Sequence, residues 1–187
     1  LYRLYMESIG FYLEEENKLL EGNHYRHDSV YVVGNKVSHC GLPHHLLKSY
    51  MSKFIDFINT KDEINTLEKS AVIHFYFAYI HPYFDGNGRM ARLVQLWYLI
   101  QNGFNAALLV SFSNLISDTK NEYYKSFEII EENIQTLGLV DVTPFVHYFS
   151  KNIFSKLSSA GFENSTSLPD KINSLISAEK ITFKEKE

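Results

Sequence analysis

From Asn65 to Ile80 the chain is apolar on nearly every side of a helix: Leu67, Ala71, Val72, Ile73, Phe75, Phe77, Ala78, Tyr79 and Ile80 leave no polar face. A helix of that kind is stable only inside protein, so the rest of the chain must wrap around it. Asn65, with Glu68 three residues on, marks its start as a capping pair. Enough apolar material is present, since 45% of the 187 residues are hydrophobic and 15% are aromatic. The length suits one domain, and the aromatic content excludes a disordered chain.

The formal net charge of −4 lacks the basic excess of a nucleic-acid binder, so no direct nucleic-acid contact is expected of this domain. No apolar run approaches the roughly 18 residues of a membrane span, and no secretory signal opens the chain. Cys40 is the single cysteine, which excludes an intramolecular disulfide and favours a reducing, cytoplasmic setting. Leu1 in place of an initiating Met is what a fragment of a longer protein would show.

Helical spacing recurs on both sides of the central segment. Leu1, Leu4, Tyr5, Ile9, Tyr12 and Leu13 predict a first helix, extended by 14–20 toward Gly22. Leu47, Tyr50, Met51, Phe54 and Ile58 predict a second, and Met90, Leu93, Val94, Trp97 and Ile100 one that stops at Gly103. Two more are expected from Leu115 to about Asn133 and from Thr143 to about Ser158, with Thr143 as N-cap and Pro144 at the first helical position. Leu168–Ile176 predicts a last short helix. One stretch differs: Val30-Tyr31-Val32-Val33, a Gly34-Asn35 turn and Lys36-Val37-Ser38 read as a β-hairpin. The expected fold is all-α, about seven or eight helices with one hairpin.

Chemistry concentrates between the two most apolar helices, in His81-Pro82-Tyr83-Phe84-Asp85-Gly86-Asn87-Gly88-Arg89-Met90-Ala91-Arg92. Two of the chain's four arginines, Arg89 and Arg92, lie here. Gly86-Asn87-Gly88 runs into a helix N-terminus, where free amides and the helix dipole form an anion cradle. Arg89 and Arg92, three residues apart, add two guanidinium forks suited to a polyphosphate. Asp85 beside phosphate needs a cation between them, and Mg²⁺ held by one carboxylate and phosphate oxygens supplies it. His81 titrates near neutrality and is placed to take a proton from a hydroxyl. The parts point to phosphoryl or nucleotidyl transfer.

This segment resembles the signature of the Fic family, His-Pro-Phe-x-Asp/Glu-Gly-Asn-Gly-Arg-x-x-Arg, departing only at Tyr83, where Phe is usual. The likeness runs from about Tyr25-Arg26 to about Leu157, and a Fic-like bundle over residues 1–160, with a flap at about 28–39, is expected. Residues 161–187 form a polar C-terminal segment, read as either a tail or the start of a truncated further domain. The resemblance implies transfer of AMP from ATP to a Ser, Thr or Tyr hydroxyl of a target protein, with self-modification as one outcome. His81 would then be the base and Asp85 the Mg²⁺ ligand. Gly86, Asn87 and Gly88 would hold phosphate oxygens, with the Asn87 side chain helping, and Arg89 and Arg92 would grip the outer phosphates.

The resemblance assigns further residues. Val30, Tyr31, Val32 and Val33 fall in the flap, whose edge would align a target segment by strand pairing. Tyr123, Tyr124 and Glu128 sit where relatives contact adenine. Ser159-Ala160-Gly161-Phe162-Glu163-Asn164 fits an inhibitory pattern in which Ser159 and Glu163 would restrain Arg92; an inhibitory helix ahead of Leu1 is the alternative. Other transfers on the same scaffold are de-AMPylation, UMP or phosphocholine transfer, and the phosphorylation of the Doc-like branch, which carries Lys in place of Gly88. A non-catalytic helical interaction module is the rival from another class. His24, His27, His39, His44 and His45 fit no closed zinc pattern and are read as flap-edge and helix-start polar residues.

Overall fold

The computed structural model describes residues 1–33 and 37–159. Among these, seven α-helices form the body: α1 (Tyr2–Ser8), α2 (Leu47–Asn59), α3 (Thr66–Ile80), α4 (Asn87–Gln101), α5 (Phe112–Asp118), α6 (Lys120–Leu137) and α7 (Thr143–Phe149). A π-helical turn, Ser150–Phe154, continues α7 into a last helical segment, Ser155–Ser159. Two strands, β1 (Tyr31–Val33) and β2 (Val37–Cys40), pair antiparallel. No helix among the described residues is long and apolar enough to cross a membrane.

Helix α3 is the spine the sequence requires. Ala71 and Phe75 pack into one core with Tyr123, Ile130, Phe145 and Phe149 of α6 and α7. Ile73, Phe77 and Ile80 enter a second core, with Tyr5 and Ile9 from the N-terminus, Leu47, Met51 and Phe54 of α2, and Met90, Ala91 and Val94 of α4. Cores on both sides explain why α3 has no polar face. Its start is capped as expected, because the Asn65 side chain accepts from the amides of Leu67 and Glu68.

Three expectations are corrected. The first helix ends at Ser8, and 10–17 forms two short 3-10 turns, Gly10–Tyr12 and Glu15–Asn17. Tyr5 and Ile9 are committed to packing over the 81–92 segment, and Phe11 and Tyr12 beyond them are exposed, so no buried face exists to extend the helix. The helix expected from Leu115 is two, α5 and α6, broken at Thr119, whose hydroxyl bonds the Leu115 carbonyl and the Tyr148 hydroxyl. Thr143 is the first residue of α7 and not its cap; the Asp141 carboxylate accepts from the Thr143 amide, with Pro144 next in the first turn.

Candidate active site

The turn from α3 to α4 carries the chemistry, and its inner half is a piece of core. His81 closes α3 in a left-handed conformation, φ 54° and ψ 62°. A non-glycine residue there costs roughly 1 kcal/mol and must be held. Arg26 holds it. Its guanidinium, only 2% exposed, donates from Nε to the His81 carbonyl at 2.8 Å, from Nη1 to Asp28 O at 2.5 Å and from Nη2 to Leu42 O. The Arg26 amide also donates to Pro82 O at 2.9 Å. A rigid fork of donors suits three carbonyls converging on one buried point. Gly41 makes room for it: an added Cβ would lie 2.8 Å from Arg26 Nη2 and 3.1 Å from His81 Cβ.

Tyr83 is fully buried, stacked on Tyr5 with ring centroids 3.6 Å apart. Its hydroxyl is the buried side-chain atom without a partner among the described residues. The extra oxygen relative to Phe is therefore accommodated without a hydrogen bond. Asn87, 2% exposed, clamps the same residue, accepting from the Tyr83 amide at 3.0 Å and donating to the Tyr83 carbonyl at 2.8 Å. The Asn87 side chain thus closes the turn, its Oδ1 and Nδ2 both engaged by the Tyr83 backbone. Gly86, at φ 80°, lies against Ile9, whose Cγ2 would be 2.6 Å from an added Cβ.

The outer half is solvent-facing. Asp85 accepts from its neighbouring Gly86 amide at 2.5 Å and pairs with Arg89 at 3.1 Å, both side chains being more than half exposed. The amides of Asn87, Gly88 and Arg89 open α4 and have no partner within it. The turn thus offers an anion three donors and a guanidinium, with a carboxylate beside them for a cation, at low cost, since an exposed i,i+4 pair is weak.

His81 meets a cavity of about 180 Å³ lined also by Gly88, Arg92, Ala78, Tyr123, Tyr124, Phe127, Glu128, Val32 and His39. The candidates His81, Gly88, Arg92, Tyr124, Glu128 and Val32 are brought together here. Asp85, Gly86 and Arg89 stand outside it, Arg89 facing a second hollow that Arg92 also reaches. Tyr31 points to solvent. Val30 accepts from the Gly41 amide at the hairpin base, and the Val33 backbone pairs with Val37. Ser159 ends the last helical segment, whereas Glu163, the rest of its pattern and the Leu168–Ile176 helix lie outside the described residues, as does the Gly34-Asn35 turn.

The ring of His81 has a defined tautomer. Nδ1 is 3.1 Å from the Ala78 carbonyl, which only accepts, so Nδ1 carries the proton and Nε2 a lone pair. Burial pushes the imidazole down to about 4, reinforced by His39 and Arg26 and opposed by the Ala78 bond and Asp85. His81 is therefore neutral at physiological pH.

Beneath the cavity runs a buried polar chain invisible in the sequence. Tyr123 Oη donates to His74 Nε2 at 3.0 Å, His74 Nδ1 to Gln95 Oε1 at 2.8 Å, Gln95 to Ser70 Oγ, and Ser70 to the Leu67 carbonyl. Complete burial pushes His74 down to about 4 despite the Gln95 bond. The paired tyrosines thus divide: Tyr123 belongs to the core and Tyr124, 41% exposed, to the cavity rim. Arg26, Gly41 and this chain are supports that motif spacing does not reveal. The one available signal was that a chain with few arginines spends one just ahead of the hairpin.

The sequence pattern of the Fic/DOC family matches residues 2–99. The chain belongs to the Fic/DOC family. Relatives of this Fic chain include a protein adenylyltransferase fic-1 of Caenorhabditis elegans, 30% identical over 104 residues, covering 54% of the chain and 18% of that protein. The protein adenylyltransferase Fic of Drosophila willistoni is 25% identical over 162 residues, covering 86% of the chain and 29% of that protein. The Fic chain thus spans less than a third of the length of these relatives. A crystal structure of a Fic family protein from Desulfovibrio desulfuricans G20 shares the fold, with TM-score 0.61 and 24% identity over 79% of this chain and 45% of that one.

Proposed function

We propose that this Fic domain transfers AMP from ATP to a hydroxyl of a target protein. The observation that carries the reading is the His81 ring: Nδ1 is tied to the helix end, leaving a bare Nε2 beside the cavity that Arg92 and Gly88 also line. Nε2 takes the proton of the incoming Ser, Thr or Tyr hydroxyl as its oxygen bonds the α-phosphorus. The bond from that phosphorus to the bridging oxygen breaks, and pyrophosphate leaves. Approaching phosphates raise the basicity of His81, since nearby negative charge favours the imidazolium.

The free amides of Asn87, Gly88 and Arg89 take phosphate oxygens, and the guanidinium groups of Arg89 and Arg92 take the charge that develops on the leaving group. The Asp85 carboxylate fits Mg²⁺, because it is exposed, is held only by a neighbouring amide and a weak ion pair, and stands next to the cradle. Bound there, the ion would neutralise the polyphosphate. Among the described residues no group of three His, Cys, Asp or Glu could hold a metal by itself, so the remaining ligands would be phosphate and water oxygens. Tyr124 and Glu128, on the opposite wall, face the base, and Val32 presents the flap. With no side chain at Gly88, the phosphate end of the cavity stays open, which favours AMP over phosphate transfer.

The test uses ATP labelled at either the α- or the γ-phosphate, with Mg²⁺, the chain, its His81→Ala variant and a mixture of candidate proteins. Label from the α position alone, lost at least a hundredfold in His81→Ala, is expected. Label from the γ position would replace the reading with phosphorylation. No label and no rise in Tm with Mg·ATP would leave a helical interaction module.

A further inference from the structure

The hairpin over the cavity is small. β1 supplies three residues and β2 four, with a register shift after Val32, and an isolated two-stranded hairpin is marginally stable at best. Its placement depends on ties to the helical body, and one tie has unusual chemistry. His39 pairs with Val32 across the hairpin, so the two side chains share the face that lines the His81 cavity. From there the His39 ring reaches two helices. Nε2 lies 2.8 Å from the Tyr79 carbonyl of α3, and Nδ1 lies 2.5 Å from the Glu131 carboxylate of α6.

A carbonyl oxygen only accepts, and so does an ionised carboxylate. Both ring nitrogens must therefore donate, which an imidazolium does and a neutral imidazole cannot. Tyr79 sits in the last turn of α3, where carbonyls lack helical partners and the dipole favours a cation. The preceding carbonyl, Ala78, is the one that fixes the His81 tautomer. Adjacent carbonyls at one helix end thus hold two imidazoles, with ring centroids 6.2 Å apart.

We propose that His39 and Glu131 form a charged latch that fixes the flap onto α3 and α6 and so sets where a target hydroxyl meets His81. His39 is a positioning residue, and the proposal rests on the adenylyl-transfer reading of the same cavity. Around His39 stand Glu131 and Glu128 from α6, the Tyr79 phenol from α3, His81 from the turn and Arg92 from α4. Glu131→Ala removes one tie and His39→Phe removes both, whereas Glu131→Gln keeps both, because an amide can accept from Nδ1–H or donate to a bare Nδ1 while Nε2–H keeps the Tyr79 bond.

Amide hydrogen exchange at Tyr31–Val33 and Val37–Cys40, corrected for intrinsic rates, reads the latch, with Tm as the control for folding. Flap protection should fall about tenfold or more in His39→Phe and in Glu131→Ala. In Glu131→Gln it should stay within about threefold of the wild type. Peptides bearing Ser, Thr or Tyr should be labelled with AMP about tenfold less by His39→Phe and by Glu131→Ala, and at near the wild-type level by Glu131→Gln. Unchanged flap protection in His39→Phe or in Glu131→Ala overturns the latch. Absence of AMP transfer in the wild type would instead sink the adenylyl-transfer reading, and the exchange pattern would still decide the latch.

Discussion

The two halves of the 81–92 segment are built for different work. His81, Tyr83 and Asn87 face inward and are fixed by Arg26, Tyr5 and each other, whereas Asp85, Gly88 and Arg89 face solvent with one weak ion pair among them. In the inner half Tyr83 and Asn87 are architecture while His81 keeps Nε2 unbonded beside the cavity, and the outer half is left free to bind. A motif of this kind therefore mixes residues that would damage folding with residues that would damage only chemistry, although all sit within twelve positions of the chain.

Acid should break the inner half first. His74 and His81 are both held near 4 in the folded chain, below the ordinary imidazole value of 6.5. Between those values the unfolded chain binds more protons, so stability must fall as pH drops through the window from 6.5 to 4. The slope is up to about 1.4 kcal/mol per pH unit for each group, less for the partly accessible His81, and reaches on the order of 5 kcal/mol by pH 4. Urea unfolding across that range measures it. Replacing His74 with a residue that does not titrate should remove more than half of the slope.

Arg26→Ala is next, at about 3–5 kcal/mol, because three carbonyls lose a buried charged donor together. Arg26→Lys should recover less than half of that, since an ammonium cannot span the three acceptors. The sharpest contrast between halves comes from Asn87→Ala and Asp85→Asn. The first should cost about 2 kcal/mol by losing both bonds to Tyr83. The second should change stability by less than about 0.5 kcal/mol while abolishing the rise in Tm with Mg·ATP. Equal stability losses in the two variants would erase the distinction. Tyr83→Phe should give a gain of up to about 1 kcal/mol, since a buried hydroxyl without a partner among the described residues is removed.

Much of this was legible from the chain. The all-round apolar pattern of α3 and the Asn65 cap are local properties, so α3 lies where the pattern puts it. The stripe of α2 and the break before α4 follow for the same reason. What escaped was decided at a distance. Tyr5 and Ile9 stop the first helix because they are needed on Tyr83 and Gly86, and Thr119 splits a long helix through a bond to Tyr148. The inward turn of Asn87 also escaped, because an Asn between two glycines looks like loop chemistry until its partner, the Tyr83 backbone, is seen. His74 lies in an apolar run, where only the facing Gln95 and Tyr123 reveal that it is hydrogen-bonded at both nitrogens.

The proposed base depends on one atom, Nε2 of His81, being free of a proton. Nitrogen-15 NMR of the histidine rings reads that directly. The His81 signals should show Nδ1 protonated and Nε2 bare from neutral pH down to about 4. An Nε2–H tautomer at neutral pH, or an imidazolium there, would contradict the account.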